Sequence, residues 1–329
     1  MIPATFPAFR IHSDAAGYRS GIEAIGLDAL SAGEVVIQTA YSSVNYKDAL
    51  AGTGQGKILR QFPLVGGIDV AGHVVQSRDP AFKEGDAVLC TGCGLSETRD
   101  GGYSTYARLE SRWAIPLPSG LDLRESMILG TAGFTAGLAL LRMQDNRQTP
   151  ELGPLAVTGA TGGVGSLAIA IFRKAGYAVH AISGKADQAE WLRSLGASEV
   201  LGREALSSTK PMDSARFGGG LDNVGGAMLR ALLAHTLPYG NVATAGLAAT
   251  HDLSTTVMPF IIRGVSLLGV ASAGTARDLR DEVWRRLSSD WKPARLGDIA
   301  TRETGLDGLP AVFDDMLAGG SRGRTLVRL

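Results

Sequence analysis

Glycines recur at intervals of three in the segment VTGATGGVGS, which spans Val157–Ser166. The segment follows a short apolar run typical of a buried strand, and it opens an apolar stretch with helical spacing. At such a turn, glycine lets backbone N–H groups approach a pyrophosphate, and the helix N-terminus adds unpaired donors and a favourable dipole. The pattern predicts a dinucleotide-binding turn, although 44 glycines in the chain leave a purely structural turn open. The residues predicted to contact the cofactor here are Gly159, Ala160, Thr161, Gly162, Gly163, Val164 and Gly165.

The next predicted strand, Tyr177–Ile182, ends at Ser183, Gly184 and Lys185. A domain selective for NAD usually places Asp or Glu there, where it accepts hydrogen bonds from the ribose 2′-hydroxyl. Here a hydroxyl, a residue that permits close approach and a positive charge stand instead, and Arg203 follows the next strand. These four residues predict NADPH as the cofactor. The alternative is that Ser183 caps the following helix while Lys185 is a solvated charge.

The tetrapeptide Asn45-Tyr46-Lys47-Asp48 carries the side chains best suited to proton transfer. A phenol is protonated at neutral pH and can donate, so Tyr46 is the candidate for contacting nicotinamide and substrate and for supplying a proton. Asn45 is predicted to orient either partner through its amide. Asp48 is expected either to bond Tyr46 or to pair with Lys47 at the surface. The alternative is a purely structural role, in which Tyr46 packs against the domain and its hydroxyl bonds water.

A metal centre is not expected. Cys90 and Cys93 have zinc-ligand spacing, but there is no second pair, and a structural zinc needs four ligands. The histidines are scattered, at His12, His73, His180, His235 and His251. Without a Lewis acid, reduction of an already activated double bond is favoured over alcohol oxidation.

The elements that must position these residues change character along the chain. The first third is predicted to be β-rich, with strand candidates at Val35–Thr39, Ile68–Gln76, Asp86–Thr91 and Tyr103–Leu109. Glu125–Met143 has helical spacing interrupted by glycines, which suggests close approach by another backbone or a ligand.

From Leu155 onward, strand and helix patterns alternate, which predicts a parallel sheet covered by helices on both faces. The strand candidates are Leu155–Thr158, Tyr177–Ile182, Glu199–Leu201, Leu221–Val224, Asn241–Ala245 and Val265–Val270. The helix candidates between them are Gly163–Ala175, Asp187–Leu195 and Ala227–Ala234. Two further helices, Ala276–Ser289 and Leu309–Ala318, and a strand, Thr325–Arg328, are expected to return to the first domain.

The composition fits a cytoplasmic enzyme. The 32 basic residues equal the 32 acidic ones, so no overall charge favours nucleic acid or an anionic membrane, although a local basic pocket stays open. Two cysteines are too few for a secreted disulfide framework. The N-terminus does not have the pattern of a signal peptide, and no uninterrupted apolar run has the length of a membrane span.

Several segments, in the same order along nearly the whole chain, resemble the zinc-independent quinone oxidoreductase branch of the medium-chain dehydrogenase/reductase superfamily. The similarity is strongest to its acrylyl-CoA reductase subgroup. The segments are SSVNYKDAL, FPLVGGIDVAGHV, GTAGFTAGL, VTGATGGVGS, SLGA, TTVMPFIIRGVSLLGV and GRTLV.

The resemblance implies an α/β protein with a GroES-like β-barrel catalytic domain at residues 1–123 and 271–329. A Rossmann NADP-binding domain, with a doubly wound parallel sheet, is then expected at residues 124–270. The resemblance also implies a homodimer joined edge to edge through Val265–Val270. Zinc-dependent relatives carry Gly-His-Glu in the region where this chain has Gly66-Gly67-Ile68-Asp69, and a ligand cysteine before the position of Tyr46; this chain has neither ligand. Cofactor contacts implied by the resemblance are Tyr46, Thr131, Leu247, Ile261, Ser272 and Arg324, in addition to the turn and the Ser183 region.

The expected reaction is therefore NADPH-dependent reduction of the C=C bond of a small enoyl thioester, acrylyl-CoA to propionyl-CoA. Reduction of a quinone or another enone on the same scaffold is the nearest alternative. A non-catalytic NADPH-binding sensor is the alternative of another class, and the Asn45-Tyr46 pair favours catalysis over it.

Overall fold

A computed structural model describes residues 2–329, which form two compact units. The first unit runs to Thr131 and also contains Ala273–Glu282 and Ala300–Leu329. The second contains Ala132–Ser272 and Val283–Ile299. The bounds of these units differ from the predicted ranges: residues 124–131 group with the first unit, and residues 271–272 and 283–299 group with the second.

The strands, in chain order, are β1 (Phe6–Asp14), β2 (Gly17–Ile25), β3 (Val35–Val44), β4 (Leu64–Val65), β5 (Asp69–Ser77), β6 (Ala87–Thr91), β7 (Tyr106–Leu109), β8 (Ile115–Pro116), β9 (Leu155–Thr158), β10 (Val179–Ile182), β11 (Glu199–Leu201), β12 (Phe217–Asp222), β13 (Thr236–Thr244), β14 (Ser266–Gly269), β15 (Ala300–Thr304) and β16 (Arg324–Arg328). The helices are α1 (Tyr46–Thr53), α2 (Leu123–Asp145), α3 (Gly163–Lys174), α4 (Ala189–Ser194), α5 (Gly226–Ala234), α6 (Met258–Arg263), α7 (Arg277–Leu287) and α8 (Leu309–Leu317).

The first unit is built on two sheets. One has the order β2-β1-β4, and the other has the order β15-β16-β3-β5-β6-β8, with β7 also paired to β3. The C-terminal strand β16 runs antiparallel to β3, with Thr325 opposite Val44, so the end of the chain completes the sheet begun by the first residues. Aromatic rings from both chain ends pack together in its core, where Phe9 meets Phe313 with ring centres 5.8 Å apart. This packing explains why the terminal segments share one unit.

The second unit contains a parallel sheet of six strands in the order β11-β10-β9-β12-β13-β14. From β9 the chain builds outward through β10 and β11, and it then returns to the other side of β9 to add β12, β13 and β14. The strand order therefore reverses between β9 and β12. In sheets of this kind, ligands bind beyond the carboxyl ends of the strands at that point. The predicted doubly wound sheet is confirmed.

Helix α2 contains a break at Gly130, whose φ of 49° and ψ of −155° are not helical. The helix is long and apolar enough to cross a membrane by length and composition, but 89% of its most apolar window is buried inside the protein. It is therefore a core helix by its packing. In the second unit, Phe134 from α2 stacks on Trp284, which explains why 283–299 groups there.

Candidate functional site

The glycine turn lies between β9 and α3 with the geometry that phosphate binding requires. Gly159 has a φ of 60°, a conformation that favours glycine. At Gly165, an added Cβ would lie 2.3 Å from the carbonyl oxygen of Gly159 and 2.8 Å from Cα of Ala160, so a side chain would force the turn open. Gly162 caps α3 without a side chain to occupy the first-turn N–H groups. These donors are thus available to an anion.

Two polar residues, the buried Asp222 at the end of β12 and the half-buried Asn223 after it, hold this turn in place. Thr158 Oγ1 donates to Asp222 at 2.7 Å, and the side-chain amide of Asn223 donates to the carbonyl oxygen of Thr158 at 2.8 Å. Asp222 also accepts the backbone N–H of Gly225 at 2.7 Å, while burial raises the pKa of its carboxyl. Sequence reasoning missed both residues. The signal was a polar Asp-Asn pair directly after the apolar residues of a strand.

The Ser183 region forms a second anchoring point beside β10. The backbone N–H of Lys185 donates to Ser183 Oγ at 3.0 Å, which makes a tight turn. Arg203 lies across Gly184, where an added Cβ would be 2.6 Å from Nε of the guanidinium. A hydroxyl and a guanidinium therefore meet at one backbone segment with no carboxylate at the end of β10. Such a donor set suits a phosphate better than a ribose hydroxyl.

A cavity of about 240 Å³ lies beyond the carboxyl ends of β12 and β13. Its lining includes Leu247, a predicted cofactor contact, together with Thr244 and the N-terminal glycines of α5. Of the other predicted contacts in this unit, Ile261 is exposed, and Ser272 accepts a hydrogen bond from Thr135 at 2.9 Å.

The residues of the second unit fit a bound NADP. A Cβ at Gly165 would fill the space in the turn where a phosphate can approach the backbone. The guanidinium of Arg203 lies next to Gly184, where it can meet a second phosphate. Beside the turn, Oδ1 of Asn223 is a buried acceptor without a hydrogen-bond partner among residues 2–329.

In the first unit, Tyr46 and Asn45 have different environments. Tyr46 begins α1 and is 45% exposed, so its ring is accessible to a ligand. Asn45 is buried, and its amide is fully engaged: Nδ2 donates to Asp69 at 2.8 Å and to Asp48 at 3.2 Å, and Oδ1 accepts from Arg324 at 3.1 Å. The amide therefore fixes the start of α1, next to Tyr46.

A buried ion pair between Asp69 and Arg324 is the centre of this cluster. The two side chains are 0% and 2% exposed, and their nearest charged atoms are 3.6 Å apart. Asp69 accepts both the backbone N–H of Thr131, at 3.0 Å, and its hydroxyl, at 2.6 Å. It also accepts the hydroxyl of Ser43 at 2.6 Å. Thr131 and Arg324 were predicted as cofactor contacts; the structure places both in this cluster, and their contact with the cofactor stays a prediction.

The break at Gly130 brings the backbone against this cluster. An added Cβ would lie 2.5 Å from Oδ2 of Asp69 and 2.9 Å from Nη2 of Arg324. Only glycine combines this positive φ with this approach.

Asp48 is the second carboxyl of the cluster, and the prediction that it pairs with Tyr46 or Lys47 is wrong. It is buried, and its oxygens accept the backbone N–H groups of Asn45 at 2.8 Å and Ile68 at 2.9 Å. Burial first, and then the charge of Asp69, raise the pKa of Asp48 to about 7. Lys47 instead pairs with Glu97, because α1 turns Asp48 inward and Lys47 outward.

The residues at the expected zinc position do not fit a metal. Asp69 already accepts hydrogen bonds from Ser43, Asn45 and Thr131 and pairs with Arg324, and the side chain of Ile68 has no ligand atom. Residues 2–329 bring no three His, Cys, Asp or Glu side chains together as a metal site.

Two family models match the chain. Residues 31–119 match the alcohol dehydrogenase GroES-like domain, and residues 163–289 match a model described as zinc-binding dehydrogenase. The second description names a metal that this chain's donor set does not accommodate.

Full-length relatives narrow the family. Quinone oxidoreductase YhfP from Bacillus subtilis is 44% identical over 98% of this chain and 99% of its own length. Acrylyl-CoA reductase AcuI from Ruegeria pomeroyi is 41% identical over 94% of each chain. Among solved structures, the YhdH oxidoreductase from Salmonella enterica in complex with NADP is 41% identical, with a TM-score of 0.94 over 98% of this chain and 99% of that one. YhfP with NAD bound is 43% identical, with a TM-score of 0.95 over 99% and 100%.

A GroES-like unit joined to a Rossmann unit defines a medium-chain dehydrogenase/reductase. The chain belongs to the zinc-independent quinone oxidoreductase branch of that superfamily and to its acrylyl-CoA reductase subgroup.

Proposed function

We propose that this enzyme uses NADPH to reduce the activated C=C bond of a small enoyl thioester, acrylyl-CoA to propionyl-CoA. The observation that carries the proposal is full-length similarity to a relative named acrylyl-CoA reductase. The Ser183 region supports NADPH, since a hydroxyl and Arg203 stand where an NAD-selective site has an acid.

NADPH, when bound, supplies the hydride that the β-carbon of the thioester accepts. The turn from Gly159 to Gly165 would hold its pyrophosphate, and Ser183, Lys185 and Arg203 its 2′-phosphate. Fixing both phosphates restricts the motion of the reacting end, which lowers the entropic part of the barrier. Leu247, Ile261 and Ser272 are the further proposed contacts in this unit.

Tyr46 is the proposed proton donor. Negative charge develops on the thioester oxygen as hydride arrives, and the α-carbon must then be protonated. A phenol can donate in that step, and Tyr46 is 45% exposed, so its side chain is partly accessible to a ligand. Asn45 acts as a positioning residue, because its amide locks the first turn of α1 to Asp69 and Arg324.

Tyr46→Phe tests the donor directly. Turnover of acrylyl-CoA is expected to fall by about 100-fold, with little change in NADPH affinity. Tyr239→Phe is the matched control, because Tyr239 is also exposed and lies in the second unit, outside the cavity lining. Near-native turnover of Tyr46→Phe would mean that water supplies the proton.

The substrate class is tested by a panel at fixed enzyme and NADPH concentration. The reaction is followed by the absorbance of NADPH. Acrylyl-CoA is expected to give a far higher kcat/KM than free acrylate or a benzoquinone. A benzoquinone that outperforms acrylyl-CoA would establish the rival quinone reductase, which the 44% identical relative named quinone oxidoreductase favours. NADPH binding without oxidation by any compound would indicate a non-catalytic protein.

We further propose a cytoplasmic homodimer, with catalytic residues 1–123 and 271–329 and cofactor-binding residues 124–270. Strand β14 supports the dimer, because it ends the order of the parallel sheet and leaves an edge for pairing. Exposed apolar side chains of Val257, Ile261 and Ile262 lie on the nearby segment of α6 and its N-cap.

Gly269→Pro tests the dimer. The N–H of Val270 donates to Thr244 in β13, so the N–H of the preceding Gly269 points to the outer edge. Proline there removes an outer donor and should convert dimer to monomer in sedimentation analysis. A wild-type monomer at micromolar concentration would refute the dimer.

A further inference from the structure

Cys90 and Cys93 are the only cysteines of the sequence, and the proposed function uses neither. Both are free and buried in one apolar cluster of the first unit. Cys90 is the penultimate residue of β6, and Cys93 lies in the turn that follows. Two thiols in one tight turn can react with each other, whereas isolated buried thiols are inert.

Arginines give this dithiol a positive environment. Nη1 of the fully buried Arg280 donates to the carbonyl oxygen of Thr91 at 2.8 Å and to its hydroxyl at 3.2 Å, between the two cysteines in sequence. Arg99 and Arg277 also act on Cys93. Arg280 acts on both thiols, and the negative charge of Asp69 also acts on Cys90.

The two thiols differ in acidity. A hydrogen bond from the Cys90 thiol lowers the pKa of Cys93, and Arg280, Arg99 and Arg277 lower it further against the effect of burial. The same hydrogen bond and burial raise the pKa of Cys90 well above its usual range. One sulfur is therefore the better thiolate and the other stays protonated, which is the arrangement of an attacking and a resolving thiol.

The backbone around Cys93 is unusual. Gly92, Cys93 and Gly94 have consecutive positive φ angles of 67°, 53° and 83°, and Cys93 is the one member with a side chain. Its N–H donates to the carbonyl oxygen of Ala273 at 3.2 Å. A residue with a side chain rarely adopts a positive φ, so the surrounding structure imposes this backbone conformation on Cys93. The turn therefore fixes Cys93 three residues from Cys90, in the same buried cluster.

We propose that Cys90 and Cys93 form a peroxide-sensitive dithiol, in which Cys93 is oxidised first and Cys90 closes a disulfide with it. The Cys93 thiolate attacks one oxygen of hydrogen peroxide, the O–O bond breaks, and the departing hydroxide takes a proton to leave as water. The Cys90 thiol then attacks the sulfur of the resulting sulfenic acid, which loses its oxygen as a second water. Two thiols are oxidised to one disulfide, and one peroxide is reduced to two waters.

Closing the bond must bring the sulfurs to about 2.05 Å, which moves the turn that holds Ala273. Ala273 directly follows Ser272, a proposed cofactor contact. We therefore expect a secondary rise in KM for NADPH after oxidation. This consequence rests on the proposed function, whereas disulfide formation does not.

The test uses the purified full-length protein treated with a few equivalents of hydrogen peroxide. Intact mass should fall by two hydrogens, peptide mapping should show a Cys90–Cys93 cross-link, and dithiothreitol should reverse both. Cys90→Ser should leave a sulfenic acid on Cys93 that dimedone traps. Cys93→Ser should leave Cys90 unmodified under the same treatment.

The wild-type peptide map decides the question even if a variant folds poorly. Two unmodified thiols after peroxide treatment would overturn the proposal, as would cross-links between chains alone. Irreversible addition of two or three oxygens without a cross-link would also overturn it. An intact cross-link with an unchanged KM for NADPH would instead contradict only the expected effect on the cofactor, which rests on the proposed function.

Discussion

Replacing Arg324 by Met removes the one cation that residues 2–329 place in the buried cluster of Asp48 and Asp69. The guanidinium donates to the carbonyl oxygens of Ile128 at 3.0 Å and Val44 at 2.9 Å, and to the hydroxyl of Ser43 at 2.6 Å. Methionine preserves most of the side-chain volume but satisfies none of these acceptors.

The magnitude follows from the geometry. Charges 3.6 Å apart attract by about 5 kcal/mol at an effective dielectric constant of about 20. Burial opposes this attraction and lowers the pKa of Arg324, while Asp69 and Asp48 raise it. Because Asp69 would be left charged and fully buried, we expect the free energy of unfolding of the first unit to fall by roughly 3–5 kcal/mol near pH 7.5.

This loss is measured by urea unfolding. Circular dichroism and tryptophan fluorescence are both recorded, so that the unfolding transitions of the two units can be distinguished. Arg19→Ala is the matched control, because Arg19 forms an ion pair with Asp14 at 2.8 Å on the surface, where such pairs contribute about 0–1 kcal/mol. Asp69→Asn and the double variant complete a cycle, in which we expect a coupling energy of at least about 2 kcal/mol.

The deficit of Arg324→Met should be smaller near pH 5 than near pH 8, because Asp48, whose pKa is raised to about 7, is protonated at the lower pH and leaves one negative charge fewer without a cation. A loss no larger than that of Arg19→Ala would refute the idea that this ion pair organises the cluster.

Three further outcomes are expected. The pKa of Asp48 is raised from 3.8 to about 7, so the folded state holds a proton that the unfolded chain releases. As the pH rises from roughly 4 to 7, the unfolding free energy of the wild type should therefore fall, relative to that of Asp48→Asn, by up to about 4 kcal/mol. A difference between the two proteins that does not depend on pH would contradict this. Ser183→Asp with Lys185→Ala should raise KM for NADPH far more than KM for NADH; an unchanged ratio in steady-state kinetics would remove the NADPH assignment. Gly165→Ala should weaken NADPH binding at least about tenfold in a fluorescence titration, because the new Cβ meets the carbonyl oxygen of Gly159 at 2.3 Å; native affinity would show that the turn does not bind phosphate.

The Rossmann elements were predictable where short-range pattern and structure coincide. The predicted strands Leu155–Thr158 and Glu199–Leu201 have the observed bounds. The β1–β2 hairpin and α1 were not predicted. In β2 the side chains are mostly exposed or half-buried, so the strand carries little hydrophobic alternation. In α1, eight residues give too few turns for a clear periodic pattern.

The candidate site likewise has one part that the sequence predicts and one part that it does not. Glycine spacing indicated the phosphate turn, because all of its contacts lie within a few residues of one another. The environment of Asp48 could not be read from its neighbours: the sequence Lys47-Asp48 suggests a surface pair, yet the fold buries the carboxyl beside Asp69.

What the sequence alone determined is the family, the alternating second unit and the acid-free Ser183 segment, since each is written in residues close together in the chain. Tertiary structure decided which polar groups share a buried volume. Ser43 and Arg324 are 281 residues apart in sequence, yet their side chains are 2.6 Å apart because β16 pairs with β3. Burial then sets the strength of every charge in that cluster, and burial is a property of the assembled sheets rather than of any local pattern.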